Sequence, residues 1–261
     1  MTQDEVFDIF RHVARLYKFR MQLPIWERYP NYLDNNLDAI RIFLDGYAFE
    51  RQGRNPSYSH AAVDAINALD SNQPSQDFPD IVWKKFSDRL PGKGLNISVN
   101  PLFHKETQCS CVWCKTKSEN LIVKAIDALR NSQVKEIWGE LQYIRGIGPK
   151  IASLFLRDIS VQFGLNPLQN RWLLQPVDIW VRRTAFILIS PKVNDEDLAK
   201  FIVENCNEPE KINQGIWYFS TQIAGSEFRL RKSLQDLDYA RKILLKHIKS
   251  LKDATASMED S

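Results

Sequence analysis

The sequence has no long hydrophobic run and little cysteine, and both absences narrow the class of protein. Nowhere do about 18 uncharged apolar residues follow one another, so we expect no membrane-spanning helix. The first residues are acidic where a signal peptide is basic, so no secretory export is expected. Three of the four cysteines lie within CSCVWC, unlike the disulfide framework of a secreted domain. We therefore expect an intracellular, cytoplasmic protein, located at the nucleoid if the source is prokaryotic.

Strand alternation and internal repeats are also lacking, whereas helical periodicity is abundant. Apolar residues recur at helical spacing along most of the chain. The segments with this pattern are 6–17, 37–47, 60–69, 78–90, 119–129, 134–144, 149–163, 178–189, 196–206, 211–224 and 233–252. The weak strand candidate at 95–102 is flanked by PGKG and NP and is expected to be an extended loop. The pattern predicts an all-α fold.

Charge alone does not identify a partner. The formal net charge is +3, from 35 basic and 32 acidic residues, which permits a polyanionic partner without establishing one. A basic surface would have to come from local clustering. The basic C-terminal helix is interpreted as a solvated face with a buried leucine stripe.

The segment IRGIGPK, residues 144–150, predicts a tight turn that leads directly into a helix. Glycine permits positive φ and close approach to the backbone, and Pro149 suits the first position of a helix. The N–H groups of Gly146, Ile147 and Gly148 would then point outward at the positive helix end, a ready site for a phosphate. A plain corner between two helices, with Ile147 packed inward, is the alternative interpretation.

Two side chains near predicted helix starts carry possible chemistry. Lys150 falls in the first turn after the glycine turn, where the helix dipole opposes an ammonium, and is a candidate amine nucleophile. It could instead bind a phosphate as a point charge. Asp178, in PVDIWVRR, precedes an apolar, arginine-bearing helix and is placed to cap it.

Together the two motifs resemble those of the helix-hairpin-helix DNA glycosylase superfamily, the group of endonuclease III and the 8-oxoguanine glycosylases. In that superfamily the hairpin reads roughly LPGVGxKxA, and a later VD opens the next helix. The matching segments here are IRGIGPKIA and PVDIWVRR, within residues 138–190. The resemblance implies two helical lobes with DNA bound in a cleft, a nucleophilic Lys150 and a catalytic Asp178.

The sequence also departs from endonuclease III. The segment between Lys150 and Asp178 is longer, which looks more like the archaeal 8-oxoguanine glycosylase branch and favours 8-oxoguanine as the lesion. Two residues after the aspartate the family frequently has a histidine, whereas this sequence has Trp180. The contact that the histidine makes in the family is therefore not expected here. No four-cysteine cluster follows the catalytic region, so we expect no iron–sulfur cluster and no other cofactor.

The implied function is that of a bifunctional DNA glycosylase and AP lyase of base excision repair. The resemblance implies a Schiff base on Lys150 and β-elimination at the lesion, with Asp178 stabilising an oxocarbenium-like sugar. Its partner would be double-stranded DNA with a damaged base, bound by a monomer. An oxidised-pyrimidine glycosylase and a noncatalytic helix-hairpin-helix DNA-binding protein are the alternatives.

Further residues are candidates for holding DNA. Arg182 and Arg183 could contact phosphates. Trp217, within GIWYFSTQ, could stack on a flipped base, although packing in an aromatic core explains it as well. Three side chains beyond the helix that starts near residue 36 could fill the gap left by that base, or simply be solvated at a helix end. These are Arg51, Gln52 and Arg54.

A metal is not expected, although four residues of the types that bind zinc lie close together in the sequence and are weak candidates for a metal site. They are His104, Cys109, Cys111 and Cys114. The CxC and CxxC spacings place all four groups within one short segment, and no second pair of ligands follows elsewhere in the sequence. Free or redox-labile thiols are therefore the favoured interpretation.

The predicted domain organisation follows the resemblance. Residues 1–35 plus 145–261 form one lobe with the terminal helices and the catalytic aspartate. Residues 36–144 form a central helical lobe that leads into the helix-hairpin-helix at 138–163. The tail 253–261 is expected to be disordered.

Overall fold

The protein is all-α, as predicted. The computed structural model describes residues 2–49, 56–68, 78–90, 97–103, 110–116, 119–189 and 193–259, and no strand occurs among them. No helix in these ranges is both long and apolar enough to cross a membrane. The α-helices are Gln3–Tyr17 (α1), Leu23–Arg28 (α2), Asn36–Phe43 (α3), Pro56–Asn67 (α4), Phe78–Asp88 (α5), Val112–Thr116 (α6), Leu121–Arg130 (α7), Val134–Gln142 (α8), Pro149–Phe163 (α9), Ile179–Leu188 (α10), Asp195–Asn205 (α11), Pro209–Tyr218 (α12), Glu227–Gln235 (α13) and Leu237–Glu259 (α14).

Capping side chains define several helix starts. Thr2 and Glu5 form a reciprocal box on α1: the Thr2 hydroxyl accepts from the Glu5 N–H at 3.3 Å, and the Glu5 carboxylate accepts from the Thr2 N–H at 2.8 Å. Asn35 caps α3 and Asn120 caps α7 through the side-chain oxygen alone, which in each case accepts from two backbone N–H groups of the first helical turn. These caps satisfy N–H groups that have no partner inside the helix.

Three helices continue into a wider, π-helical turn. These turns are Lys18–Gln22 after α1, Leu44–Ala48 after α3 and Phe219–Ala224 after α12. The predicted helices 37–47 and 211–224 are therefore confirmed, with their last turns widened. Glycine ends the third turn, since Gly225 has a φ of +65°.

The C-terminal region differs from the prediction in two ways. Residues 233–252 are divided between α13 and α14, because the Asp236 carboxylate accepts from the Tyr239 N–H at 3.0 Å and starts a new helix. α14 also continues to Glu259, through residues for which composition predicted disorder. Those residues include alanines and contain neither glycine nor proline, so nothing in them stops a helix.

The chain divides into two compact units, at boundaries other than the predicted ones. Unit 1 is Met1–Arg20 with Val177–Ser261, and unit 2 is Met21–Pro176. The glycine turn and α9 thus belong to unit 2, whereas residues 145–176 were predicted to join the terminal helices. Packing explains the difference, because Ile147 and Phe155 are buried in the core of unit 2.

Helix α9 crosses the core of unit 2. Phe155 is completely buried, with its ring edge-on to Phe43 at 5.0 Å and to Tyr47 at 5.2 Å between centroids. Two residues later the Arg157 guanidinium donates to the Asp158 carboxylate at 2.9 Å, and each residue is only 1% exposed. The Tyr47 hydroxyl also donates to this carboxylate, at 3.2 Å. A buried charge pair of this kind is tolerated only when both charges are bonded.

In unit 1, α1 and α12 pack backbone to backbone. A Cβ on Gly215 of α12 would lie 1.9 Å from the carbonyl oxygen of Phe10 in α1, so no larger residue fits without displacement. The neighbouring Phe10 and Phe219 rings meet edge-on at 5.9 Å. Glycine in the helix interior is unfavourable by itself, and here close packing of the two helices offsets that cost.

Candidate functional site

The segment IRGIGPK forms the predicted tight turn between α8 and α9. The Ile147 N–H donates to the carbonyl oxygen of Ile144 at 3.0 Å, which closes a four-residue β-turn. Gly146, at the third position, has a φ of +78°, the conformation that makes glycine the preferred residue in a type II turn. The Trp138 indole N–H of α8 donates to the Ser153 hydroxyl of α9 at 3.0 Å and ties the two helices together.

Distant residues hold the turn from one side. A Cβ on Gly146 would lie 1.9 Å from the carbonyl oxygen of Val99, so the backbone of Val99 packs directly on the glycine. Val99 ends a short 3-10 helix, Ile97–Val99, where an extended loop was predicted. Arg145 donates its N–H to the Ser110 carbonyl oxygen at 2.7 Å, and its guanidinium donates to the Ser110 hydroxyl at 2.9 Å. The same guanidinium lies 5.0 Å from the centroid of the Phe103 ring. Sequence reasoning missed these supports because they join residues far apart in the chain.

The backbone donors of the turn are only partly as predicted. The N–H of Ile147 is used inside the turn, and its side chain is 3% exposed, so this residue does not direct its N–H outward. Among the residues that the structure describes, the N–H groups of Gly146 and Gly148 have no acceptor. The carbonyl oxygen of Gly148 accepts from Ile151 and Ala152 and starts α9. Two donors therefore remain at the N-terminal end of this helix.

Lys150 is the second residue of α9. Pro149 takes the first position, as predicted, and fixes the helical φ there. Lys150 is half-buried. Lysines of this kind bury part of the aliphatic chain against the protein and keep the amine near the surface. Lys150 is thus held at the positive end of a helix that continues into the core of unit 2.

Asp178 caps α10, which confirms that part of the prediction. Its Oδ1 accepts from the N–H groups of Trp180 at 2.8 Å and Val181 at 2.9 Å. No described residue donates to Oδ2, so one carboxylate oxygen is left at the helix N-terminus. The residue is half-buried.

The two arginines that follow Asp178 are engaged in ion pairs. Arg182 binds Asp195 through two hydrogen bonds, at 2.6 and 2.5 Å. Hydrogen bonding between the two side chains raises the pKa of Arg182 and lowers the pKa of Asp195. Arg183 lies 3.2 Å from the Glu227 carboxylate and 4.8 Å from the centroid of the Trp180 ring. Their contact with phosphate stays a prediction, and it would require competition with these exposed carboxylates.

Trp217 is half-buried at the edge of the core of unit 1. Its ring stands edge-on to Tyr17 of α1, with 5.8 Å between centroids and an 86° angle between planes. Trp217 is therefore neither a fully buried core residue nor a freely exposed one. Its partial burial fits both interpretations made from sequence, core packing and stacking on a flipped base.

The cysteine loop is described only in part. The Sγ atoms of Cys111 and Cys114 are 3.3 Å apart. Cys111 is a free cysteine, whereas Cys114 is disulfide-bonded, so the expectation of a free thiol is wrong for Cys114. Cys111 is fully buried, and burial raises the pKa of its thiol. Within the described ranges, no three His, Cys, Asp or Glu side chains are grouped so as to hold a metal ion. The other two candidate ligands, His104 and Cys109, lie outside the described residues, as do Arg51, Gln52 and Arg54.

A polar cavity that sequence reasoning did not signal lies in unit 2. It has a volume of about 540 Å³ and is lined from α2, α3 and α4 and the turn after α2. At its edge the Arg28 guanidinium donates to the Asp45 carboxylate at 2.5 Å, and the Tyr29 hydroxyl donates to the same oxygen at 3.2 Å. Burial, and then the charge of Asp45, raise the pKa of Tyr29 to about 12.

Comparison with known proteins adds one distant relative. The chain is 24% identical over 243 residues to an uncharacterized protein of Methanocaldococcus jannaschii, an alignment that covers 80% of this chain and 56% of that protein. The chain therefore spans only about half the length of the relative that it matches. No protein-family model matches the chain, and no solved structure matches it.

Proposed function

We propose that this chain is a bifunctional DNA glycosylase and AP lyase that excises an oxidised base, with 8-oxoguanine as the favoured lesion. One observation carries the proposal: Lys150 occupies the first turn of α9, directly after a type II glycine turn. A simple phosphate grip needs the turn but does not need an amine there. The motif around Asp178 supplies the second group that this reaction requires.

In the proposed complex, the turn between α8 and α9 binds a phosphate of duplex DNA. The N–H groups of Gly146 and Gly148 are its donors, since neither has an acceptor among the described residues. A helix N-terminus adds a favourable partial positive charge. Such contacts hold the backbone and carry no sequence information, as suits an enzyme that must find a lesion in any sequence.

Lys150 performs the covalent chemistry. Its neutral amine attacks C1′ of the damaged nucleotide, the glycosidic C–N bond breaks, and the base leaves with a proton. Loss of the amine proton and opening of the sugar ring give a Schiff base between Nζ and C1′. Removal of a proton from C2′ then breaks the C3′–O3′ bond, which cuts the strand 3′ to the lesion.

Asp178 stabilises the positive charge that develops on the sugar as the base leaves. A nearby carboxylate serves glycoside hydrolysis in the same way. Because capping of α10 uses Oδ1, Oδ2 is the oxygen available to substrate. Trp217, with its half-buried ring, remains the proposed stacking partner for the flipped base.

Borohydride trapping tests the proposal. Duplexes that carry 8-oxoguanine, thymine glycol, uracil or an abasic site are incubated with the intact protein, Lys150→Gln and Asp178→Asn. Lys135→Gln is the matched control, because it removes an exposed lysine from the other helix of the same hairpin. We expect a covalent adduct on the 8-oxoguanine duplex that is lost in Lys150→Gln and retained in Lys135→Gln.

Each other outcome has a definite meaning. Adducts on thymine glycol but not on 8-oxoguanine would change the substrate to an oxidised pyrimidine. Absence of any adduct, even at the abasic site, would refute the lyase activity. Base release without an adduct would indicate a monofunctional enzyme that uses water, and duplex binding without either reaction would indicate a noncatalytic DNA-binding protein.

A further inference from the structure

Helix α14 carries a row of lysines on its exposed side. Lys242, Lys246 and Lys249 are spaced by four and then three residues, so their side chains stand on one face of the helix. Lys252 follows one turn later, and all four are exposed. Leu245 lies beside this row and is 66% exposed. We call Lys242, Lys246 and Lys249 the lysine row.

Among the described residues, no carboxylate is paired with the lysine row, in contrast to Lys200 and Arg182 of the same unit. Lys200 is paired with Glu196 at 2.6 Å and Arg182 with Asp195 at 2.5 Å. Within the described residues, none of the three lysines of the row forms an ion pair. The nearest acidic residues along that face are Asp238, four residues before Lys242, and Asp253, four residues after Lys249, and neither is bonded to the row. The row is therefore a local excess of positive charge that no ion pair among the described residues offsets.

The opposite side of α14 is fixed to the core of unit 1. Ala240 is 1% exposed, and Ile243 and Leu244 pack against the core. The His247 imidazole and the Tyr218 hydroxyl are hydrogen-bonded at 3.2 Å. The helix is thus held in one orientation, which directs the lysine row to the surface. Its apolar side is already occupied, so α14 does not offer the free apolar face by which amphipathic helices enter a lipid surface.

We infer that the lysine row binds the phosphate backbone of duplex DNA, as a surface additional to the turn between α8 and α9. The identity of the polyanion rests on the proposed function; the surface itself rests on the arrangement of α14. The row extends over roughly 10 Å of helix. Duplex DNA presents one negative charge per about 1.7 Å of its axis, so all three lysines can meet phosphates at once.

Salt-dependent binding to an undamaged duplex tests the inference. Fluorescence anisotropy gives the binding constant at several salt concentrations for the intact protein, for Lys242→Gln/Lys246→Gln/Lys249→Gln, and for Lys84→Gln/Lys85→Gln/Arg130→Gln. The second triple variant is the control, because it removes the same charge from helices of unit 2. Each phosphate contact contributes about 0.9 to the slope of log K against log salt. We expect the slope to fall by roughly 2.7 in the first variant and to stay unchanged in the control.

Three results would overturn the inference: an unchanged slope in the lysine-row variant, an equal fall in both triple variants, or no duplex binding by the intact protein. Loss of binding to vesicles of anionic lipid with an unchanged DNA slope would assign the row to a membrane surface instead. Thermal unfolding confirms that both variants are folded.

The proposed function and this inference fail separately. A Lys150-dependent borohydride adduct together with an unchanged slope would refute only the role of the lysine row. A lowered slope without any adduct would refute only the lyase.

Discussion

Gly146 lies directly against the carbonyl oxygen of Val99: a Cβ there would be 1.9 Å from that oxygen, and the φ of Gly146 is +78°. Both the contact and the backbone conformation exclude a larger residue. We expect Gly146→Ala to lower the free energy of unfolding by roughly 2 kcal/mol or more. Chemical denaturation measures this change.

Gly139→Ala is the matched control for that substitution. Gly139 is in α8, and a Cβ there meets nothing within 4 Å. Alanine is the better helix residue, so we expect Gly139→Ala to stabilise the protein by about 0.5–1 kcal/mol. Equal effects of the two substitutions would contradict the close packing of Gly146 against Val99.

Asp178 is expected to have two separable roles. Asp178→Ala removes the cap of α10 and should cost about 0.5–2 kcal/mol of stability. Asp178→Asn keeps an oxygen that can accept from Trp180 and Val181, and asparagine caps as well as aspartate does, so stability should be nearly unchanged. Thermal unfolding and borohydride trapping of both variants separate capping from chemistry. A trapping yield in Asp178→Asn equal to that of the intact protein would show that the charge is not needed.

The buried pair of Arg157 and Asp158 should be strongly coupled to folding. Each residue is 1% exposed, and the guanidinium contacts the carboxylate at 2.8 Å. Arg157→Met would leave a buried carboxylate without its cation, which we expect to cost about 3–5 kcal/mol. Arg130→Met is the comparison, because Arg130 and Asp127 are about 60% exposed and such pairs contribute roughly 0–1 kcal/mol. A similar midpoint shift for both in urea denaturation would be evidence against the buried pair.

Cys206 should react slowly with alkylating reagents at neutral pH. Burial raises the pKa of its thiol from 9.0 to about 11. Only the thiolate reacts, so the alkylation rate should keep rising until the pH approaches 11 instead of levelling off near 9. Peptide mapping by mass spectrometry after iodoacetamide treatment at graded pH distinguishes Cys206 from the other cysteines. A half-maximal rate near pH 9 would contradict the described burial.

Helix positions were well predicted because their determinants are local. The apolar periodicity of residues 6–17 and 149–163 corresponds to α1 and α9, and Asp178 and Pro149 act at helix starts as expected. Short helices such as α2 and α6 were not predicted, because a helix of five or six residues is too short to show an apolar periodicity. The break at Asp236 was missed because a cap inside an apolar pattern is recognised only once its hydrogen bond is seen.

Lys150 and Asp178 lie at the helix starts where the sequence placed them, but the partners of the neighbouring arginines were not predicted. Arg182 and Arg183 were identified as cations for phosphate, and the structure pairs them with Asp195 and Glu227. The N–H of Ile147 was expected to face outward, and the turn itself uses it. These pairings depend on which helices pack together, which spacing along the chain does not specify.

By itself, the sequence determined the helical class and the tight turn at Gly146, since periodicity, capping and positive φ are properties of neighbouring residues. Only the tertiary structure decided that α9 belongs to the central unit, that Val99 and Ser110 support the turn, and that the lysine row of α14 has no carboxylate partner among the described residues. Those features are set by contacts between segments far apart in the chain. Such contacts form only where buried apolar area outweighs the entropy of bringing the segments together.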